Sequence, residues 1–399
     1  MNFALLEIDE HTRALVAAAE LAGHRISAAY DAHPASVEAI RSVAPAAEIV
    51  DHWEALLGDG VCDAVIVARA AADEESVRDE QLRTFLQAEM PLLVAHPFVD
   101  AMLTYVTIDL YRQDSQSPLV PYAPERSHPA IEQLATIIGQ GEASSLGRVE
   151  QVVCERFLSD RSKRGVFAAF VSDCDLARRL CGEFDKLGAL AASNSDNRWA
   201  TLAVQMSAIA GVITRWSVVP SANGPAARWT IVAASGKAVL HAPNDSPWKL
   251  ELQTGDESIE HEYPGWSAAG QAIDDLIAAT QGNAPGATWF DAYRDLELAD
   301  AVDRSLARGR TIDLYHEDVT EHSTFKGMMA AGGCLVLLVA LGLLIVATTL
   351  GNLHVPGASA WPYVLVAGLV LFLLLQTLKF AFPPESREIV TGTRQEERP

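Results

Sequence analysis

"FALLEIDEHTRALVAAAELAGHRISAAYDAHP", residues 3–34, places an apolar strand, a helix and a second strand ending in Asp31 in the spacing of a parallel βαβ unit. The alternation continues with a helix from Pro34, a short "AEIV", a helix around "DHWEALLGDG" and the buried strand "DAVIVA". A helix over 75–89 then leads into "PLLVAHP", and "SPLVPYAPERSHPAIEQLATIIGQGE" adds one more strand and helix. Such a sequence predicts an α/β domain over residues 1–143, a doubly wound parallel sheet with helices on both faces.

From Ser145 the texture changes. "GRVEQVVCERF", "WATLAVQMSA", "GVITRWSVVPS", "ARWTIVAAS", "KAVLHA" and "WKLELQ" are short, β-rich and separated by Gly, Pro, Asn and Ser, which predicts an α+β domain with an open antiparallel sheet over 144–315. One helix over 166–180 interrupts it early. Two more close it, "SAAGQAIDDLIAATQG" and a helix over 289–309 that packs back.

Nearly half of the 399 residues are apolar, enough for a full core, and the formal net charge is −22. That charge excludes sequence-independent binding to nucleic acid, which depends on Lys and Arg neutralising phosphates. Five cysteines without metal-type spacing predict neither a disulfide framework nor a thiolate metal site. "HEDVTEH", 316–322, sets two histidines six apart, off a common helical face, and reads as acidic linker rather than metal site. The N-terminus enters a strand at once, so no signal peptide is expected.

The runs 327–350 and 361–382 are each apolar and long enough to span a bilayer as a helix; the first has no charged residue, and the second carries Gln376 and a late Lys379. A ten-residue hairpin without Lys or Arg joins them, whereas Lys326 precedes the first and Arg387, Arg394 and Arg398 follow the second. The positive-inside bias predicts a two-span anchor in a cell inner membrane, with a juxtamembrane linker at 316–326. The soluble part and the tail, 383–399, then face the cytoplasm.

Taken together, "YDAHPASVEAI", "DHWEALLGDGVCDAVIVA", "MPLLVAHP", "ERSHPAIEQL", "GEASSLGRVEQV", "DCDLARRLCGE" and "LELADAVDRSLARGRTIDL" resemble, in wording and order, the Gfo/Idh/MocA oxidoreductases over roughly residues 1 to 315. The two membrane helices lie outside that family pattern. The resemblance implies a Rossmann-like domain for NAD or NADP, a sheet domain that oligomerises and walls the substrate site, and hydride transfer at a sugar or polyol carbon.

Four places decide whether that chemistry is retained. Where the family has a Gly-x-Gly-x-x-Gly-like turn, this chain has Glu7, Asp9 and Thr12, with Glu10 beside them. A carboxylate a few Å from a phosphate adds repulsion of about 4 kcal/mol at an effective dielectric near 20. Asp9 is also a good helix N-cap, and the acids complement the positive end of the helix dipole that a pyrophosphate would otherwise use. Asp31 stands where an acidic residue takes the ribose hydroxyls; strand-end Asp residues also form turns.

The family's Glu-Lys-Pro lysine corresponds to His96, with Ala95 for the Glu. On the second domain's helix, Ala168 and Ser172 fall at the family's catalytic Asp and His, and Asp173 and Asp175 keep the rest of the motif. Neither Ala nor Ser serves as a general acid or base. The expectation is a membrane-anchored, catalytically degenerate member without an intact catalytic or cofactor site. It would act as a ligand-binding or scaffolding module, self-associating and taking a small sugar-like ligand or a protein partner. The alternative is a tethered NAD(P)-dependent oxidoreductase using His96 with Asp173 or Asp175.

Overall fold

The computed structural model describes residues 1–71, 74–115, 117–192, 197–221, 226–244 and 246–314. The linker, both apolar runs, the tail and "HEDVTEH" lie outside the described residues. Among the described residues no helix is long and apolar enough to cross a membrane, and no group of three or more His, Cys, Asp or Glu is placed to hold a metal ion.

The first sheet consists of β1 (Asn2–Leu6), β2 (Arg25–Tyr30), β3 (Glu48–Ile49), β4 (Ala64–Val67), β5 (Leu92–Ala95) and β6 (Leu119–Tyr122). All five pairings are parallel, in the order β3-β2-β1-β4-β5-β6, the Rossmann arrangement. The crossover helices are α1 (Glu10–Leu21), α2 (Pro34–Val43), α3 (Glu75–Gln87) and α4 (Met102–Ser115); "DHWEALLGDG" supplies only a 3₁₀ turn, Trp53–Leu57. Strand β4 reads Ala-Val-Ile-Val and is buried throughout, as a strand covered on both faces must be.

After α5 (Pro129–Gly139) come β7 (Val149–Leu158), α6 (Lys163–Cys181), β8 (Phe184–Leu190), β9 (Ala203–Ala208), β10 (Ile213–Pro220), β11 (Ala226–Ala233), β12 (Gly236–Pro243), β13 (Trp248–Thr254) and β14 (Glu257–Tyr263). The described chain closes with α7 (Ala268–Thr280), α8 (Trp289–Arg308) and β15 (Ile312–Asp313). The nine-stranded order is β14-β13-β12-β11-β7-β10-β9-β8-β15. The sheet is open but not purely antiparallel as the sequence predicts. β10 runs parallel to β7 in register Ile213↔Gln151 to Pro220↔Leu158, because α6, β8 and β9 intervene and return the chain to the same end.

The closing helices join the halves. α7 lays Ala269, Ala272, Ile273 and Leu276 into the same core as Phe3, Leu5, Leu15 and Leu93, so the parallel sheet takes part of its cover from beyond the mixed sheet. On α8, Trp289 stacks on Tyr105 of α4, ring centroids 4.9 Å apart, and its indole N–H donates to the Tyr105 carbonyl at 3.1 Å. Residues 1–315 form one compact unit.

Candidate functional site

The carboxyl ends of the parallel strands, where a doubly wound sheet binds its ligand, carry the acidic turn. Glu7 has φ 61°, the left-handed conformation usually left to glycine, so the chain keeps the turn while replacing the residue that makes it easy. Its N–H donates to the Tyr30 carbonyl at 2.7 Å, and its carboxylate forms a buried ion pair with Arg78 of α3. Arg78 therefore holds the Glu7 side chain against α3. Burial raises its pKa against the pull of Arg78, and burial likewise lowers that of Arg78, whose Nε and Nη1 have no partner.

Asp9 is the residue that fills the turn. It N-caps α1 in a reciprocal box: Asp9 N–H donates to Thr12 Oγ1 at 2.8 Å, while Thr12 N–H and its hydroxyl donate to Asp9 Oδ1 at 2.7 and 2.9 Å. The second oxygen, Oδ2, accepts the Arg69 backbone N–H at 2.8 Å from the loop after β4. The Asp9 carboxylate thus takes up one N–H of the first turn of α1 and one of the loop after β4. Asp31 is also engaged, accepting Ile8 N–H at 3.1 Å and His33 N–H at 2.8 Å. Two arginines fasten the rim, Arg69 on Asp100 at 2.6 Å and Arg164 of α6 on the Ala70 carbonyl.

Asp173 and Asp175 sit two apart on α6 and face opposite ways. Asp173 is held by Arg156 of β7, whose Nε donates at 2.8 Å and whose Nη2 completes a bidentate pair, and by the Trp216 indole N–H at 2.7 Å. At 1 % exposure it is a clamp between helix and sheet, not a cleft acid.

Asp175 belongs to a different cluster, which does include His96. Tyr105 Oη accepts the Phe98 N–H at 3.0 Å and shares a hydrogen bond with His96 Nδ1 at 2.9 Å. Nε2 lies 3.7 Å from Asp295 Oδ2 of α8, beyond hydrogen-bond reach, and neither atom has another partner. Arg126 pairs with Asp175 and, at 3.2 Å, with Asp291; Arg178 pairs with Asp295 at 3.0 Å and with Glu183 at 2.6 Å.

Burial is the first cause of the shifts of His96, Asp175 and Asp295. It pushes His96 down to about 4, keeping it neutral. It pushes Asp175 up to about 7, assisted by Asp295, and Asp295 up to about 7 against the pull of Arg178. Asp291, though burial opposes it, is lowered by Arg126 and by hydrogen bonds from Thr288. The side chains of His96 and Asp295 are only 3 % and 1 % exposed, so their acid-base capacity is sealed from a ligand. The sequence reading missed Arg78, Tyr105, Arg126, Arg178, Asp291 and Asp295; an acid at 295 between buried Ala292 and Ala299 was the available signal.

No family model and no curated protein matches the chain. Solved structures do. A levoglucosan dehydrogenase in complex with NADH is similar at TM-score 0.68 and 14% identity, over 79% of this chain and 100% of that one. An aldose-aldose oxidoreductase from Caulobacter crescentus, complexed with glycerol, gives 0.66 and 16%, over 79% and 99%. The WlbA dehydrogenase from Bordetella pertussis, with NADH and UDP-GlcNAcA, gives 0.66 and 16%, over 79% and 98%. The chain has the fold of the Gfo/Idh/MocA-type oxidoreductases. At these identities the likeness establishes the fold alone.

Proposed function

We propose that this chain is a non-catalytic ligand-binding or scaffolding module built on an oxidoreductase fold. The runs 327–350 and 361–382 tether it to the cytoplasmic face of a cell inner membrane, with self-association through the mixed sheet. The observation that carries the non-catalytic reading is the Asp9 carboxylate, which accepts from Thr12 and from the Arg69 backbone where a coenzyme phosphate would. Ala168 and Ser172 at the catalytic helix positions point the same way. Fold alone does not assign chemistry.

The test is a thermal melt of the whole chain with millimolar NAD, NADH, NADP or NADPH. Ligand at a hundred times its Kd stabilises by about 2.7 kcal/mol, so retained binding would raise Tm. The expected result is no shift; a reproducible, saturable shift overturns the reading.

A second reading, a tethered NAD(P)-dependent oxidoreductase acting on a sugar or polyol, is favoured by the comparisons, because two of the similar structures hold NADH. It is also supported by His96 and Asp175 meeting in one cluster. It predicts absorbance change at the nicotinamide band with a polyol or sugar, abolished by His96→Ala.

A further inference from the structure

A cavity of about 400 Å³ opens where the β12–β13 loop and the end of β14 meet the start of α5 and α7, sharing Trp266 and Ala268 with the neighbouring cleft lined by Arg126. Its walls are aromatic. The His128 ring stacks on Trp248 at 3.9 Å between centroids and meets Trp266 edge-on at 4.5 Å and Tyr263 at 5.6 Å. Trp248 and Tyr263 are directly opposed across the β13–β14 pair, so the sheet register itself sets these two rings together.

The polar groups of this cavity are as informative as its rings. His128 is 2 % exposed and N-caps α5 by accepting the Ala130 N–H on Nδ1 at 3.1 Å, which leaves its proton on Nε2. Burial holds the ring at about 4, hence neutral. Among the described residues, Nε2–H of His128 and the indole N–H groups of Trp248 and Trp266 have no acceptor, whereas the Tyr263 hydroxyl is already spent on Gln133. None of the three is among the buried side-chain atoms left without a partner, so each reaches solvent and stays free to donate to a ligand. Asn244 and Ser246 stand at the rim. No described residue lining the cavity is charged.

We propose that this cavity is a binding site for a neutral pyranose. Such a ring offers C–H groups on one face for the aromatic walls and oxygen acceptors at its edge for the three N–H donors. The volume lies within the range of small-molecule sites. An anion is disfavoured because the described lining supplies no cation and the chain carries −22. A cation is disfavoured because the unpartnered polar groups are donors. A proline-rich peptide docks on exposed aromatic ridges, and here His128 and Trp248 are recessed, at 2 % and 8 % exposure. The proposal stands whether or not the dinucleotide turn is closed.

The experiment titrates the full chain with methyl glucoside, methyl galactoside and methyl mannoside to about 100 mM, well past a millimolar Kd. It reads tryptophan fluorescence and the indole N–H resonances, and a triproline peptide runs in parallel. The expected result is saturation by at least one glycoside, weakened about tenfold or more in Trp266→Ala. Trp266→Phe, which keeps a wall but loses the donor, retains folding and shows a smaller loss. No saturable response to any glycoside, an undiminished response in both Trp266 variants, or saturation by the peptide alone overturns the proposal.

Discussion

Asp9 and Arg69 are joined by a 2.8 Å hydrogen bond from a backbone N–H to a carboxylate oxygen, which ties the first turn of the parallel sheet to the loop after its central strand. Asp9→Ala removes both the cap and the tie, and it is expected to cost about 1–2 kcal/mol. Asp9→Asn keeps the cap through its one acceptor oxygen but turns its NH2 donor toward the Arg69 N–H, so it should lose the tie while keeping most of the cap. Urea denaturation of the two variants checks the pair; equal losses would show that the cap contributes nothing beyond the tie to Arg69.

Glu7 and Arg78 make a sharper test because they combine a buried ion pair with a left-handed backbone. Arg78→Met strands a buried carboxylate and should destabilise by about 3–5 kcal/mol. Adding Glu7→Gly removes that carboxylate and relaxes the turn, so the double variant should regain most of the loss. The measurement is a double-mutant cycle, and additive losses would contradict the pairing.

The Asp173 clamp predicts a structural phenotype. Asp173→Ala leaves Arg156 buried without its partner, with an expected loss of about 3–5 kcal/mol and a changed Trp216 fluorescence in the folded state. If the variant folds normally and loses only an activity, Asp173 belongs to a site after all.

Stability should depend on pH through opposing groups. Asp175 and Asp295 are raised to about 7 in the folded chain, so their contribution is full below the unfolded value near 4 and is lost as pH rises through 7. His96 is lowered to about 4, so its contribution is present above the unfolded value near 6.5 and is lost as pH falls through 4. Asp295→Asn cannot ionise; relative to the parent, it should gain stability from pH 4 to 7. Denaturation at several pH values decides, and a pH-independent difference would remove Asp295 from the titration.

Much of the fold is legible because local patterns and tertiary demands agree. The second strand emerges as Arg25–Tyr30, one residue short of the expected end at Asp31, since Ile26, Ala28 and Ala29 are buried and Gly23 and Asp31 flank the run. Helix α4 carries no such agreement: Leu103 and Leu110 face solvent while Tyr105 and Ile108 are buried, which blurs the apolar stripe. The parallel β10–β7 pairing depends on contacts about sixty residues apart, beyond any local signal. Glu7 is visible as an acid at a glycine position, but its partner lies seventy-one residues away, marked only by an arginine on the buried face of α3 with Leu82 and Phe85.

Helix α7 gives the molecule a timetable. A ribosome delivers the six parallel strands well before the residues that cover part of their apolar face, so the nascent chain must carry that bare surface until about residue 280 has emerged. A fragment cut after residue 143 would keep the exposure permanently, and its fate should be aggregation rather than independent life.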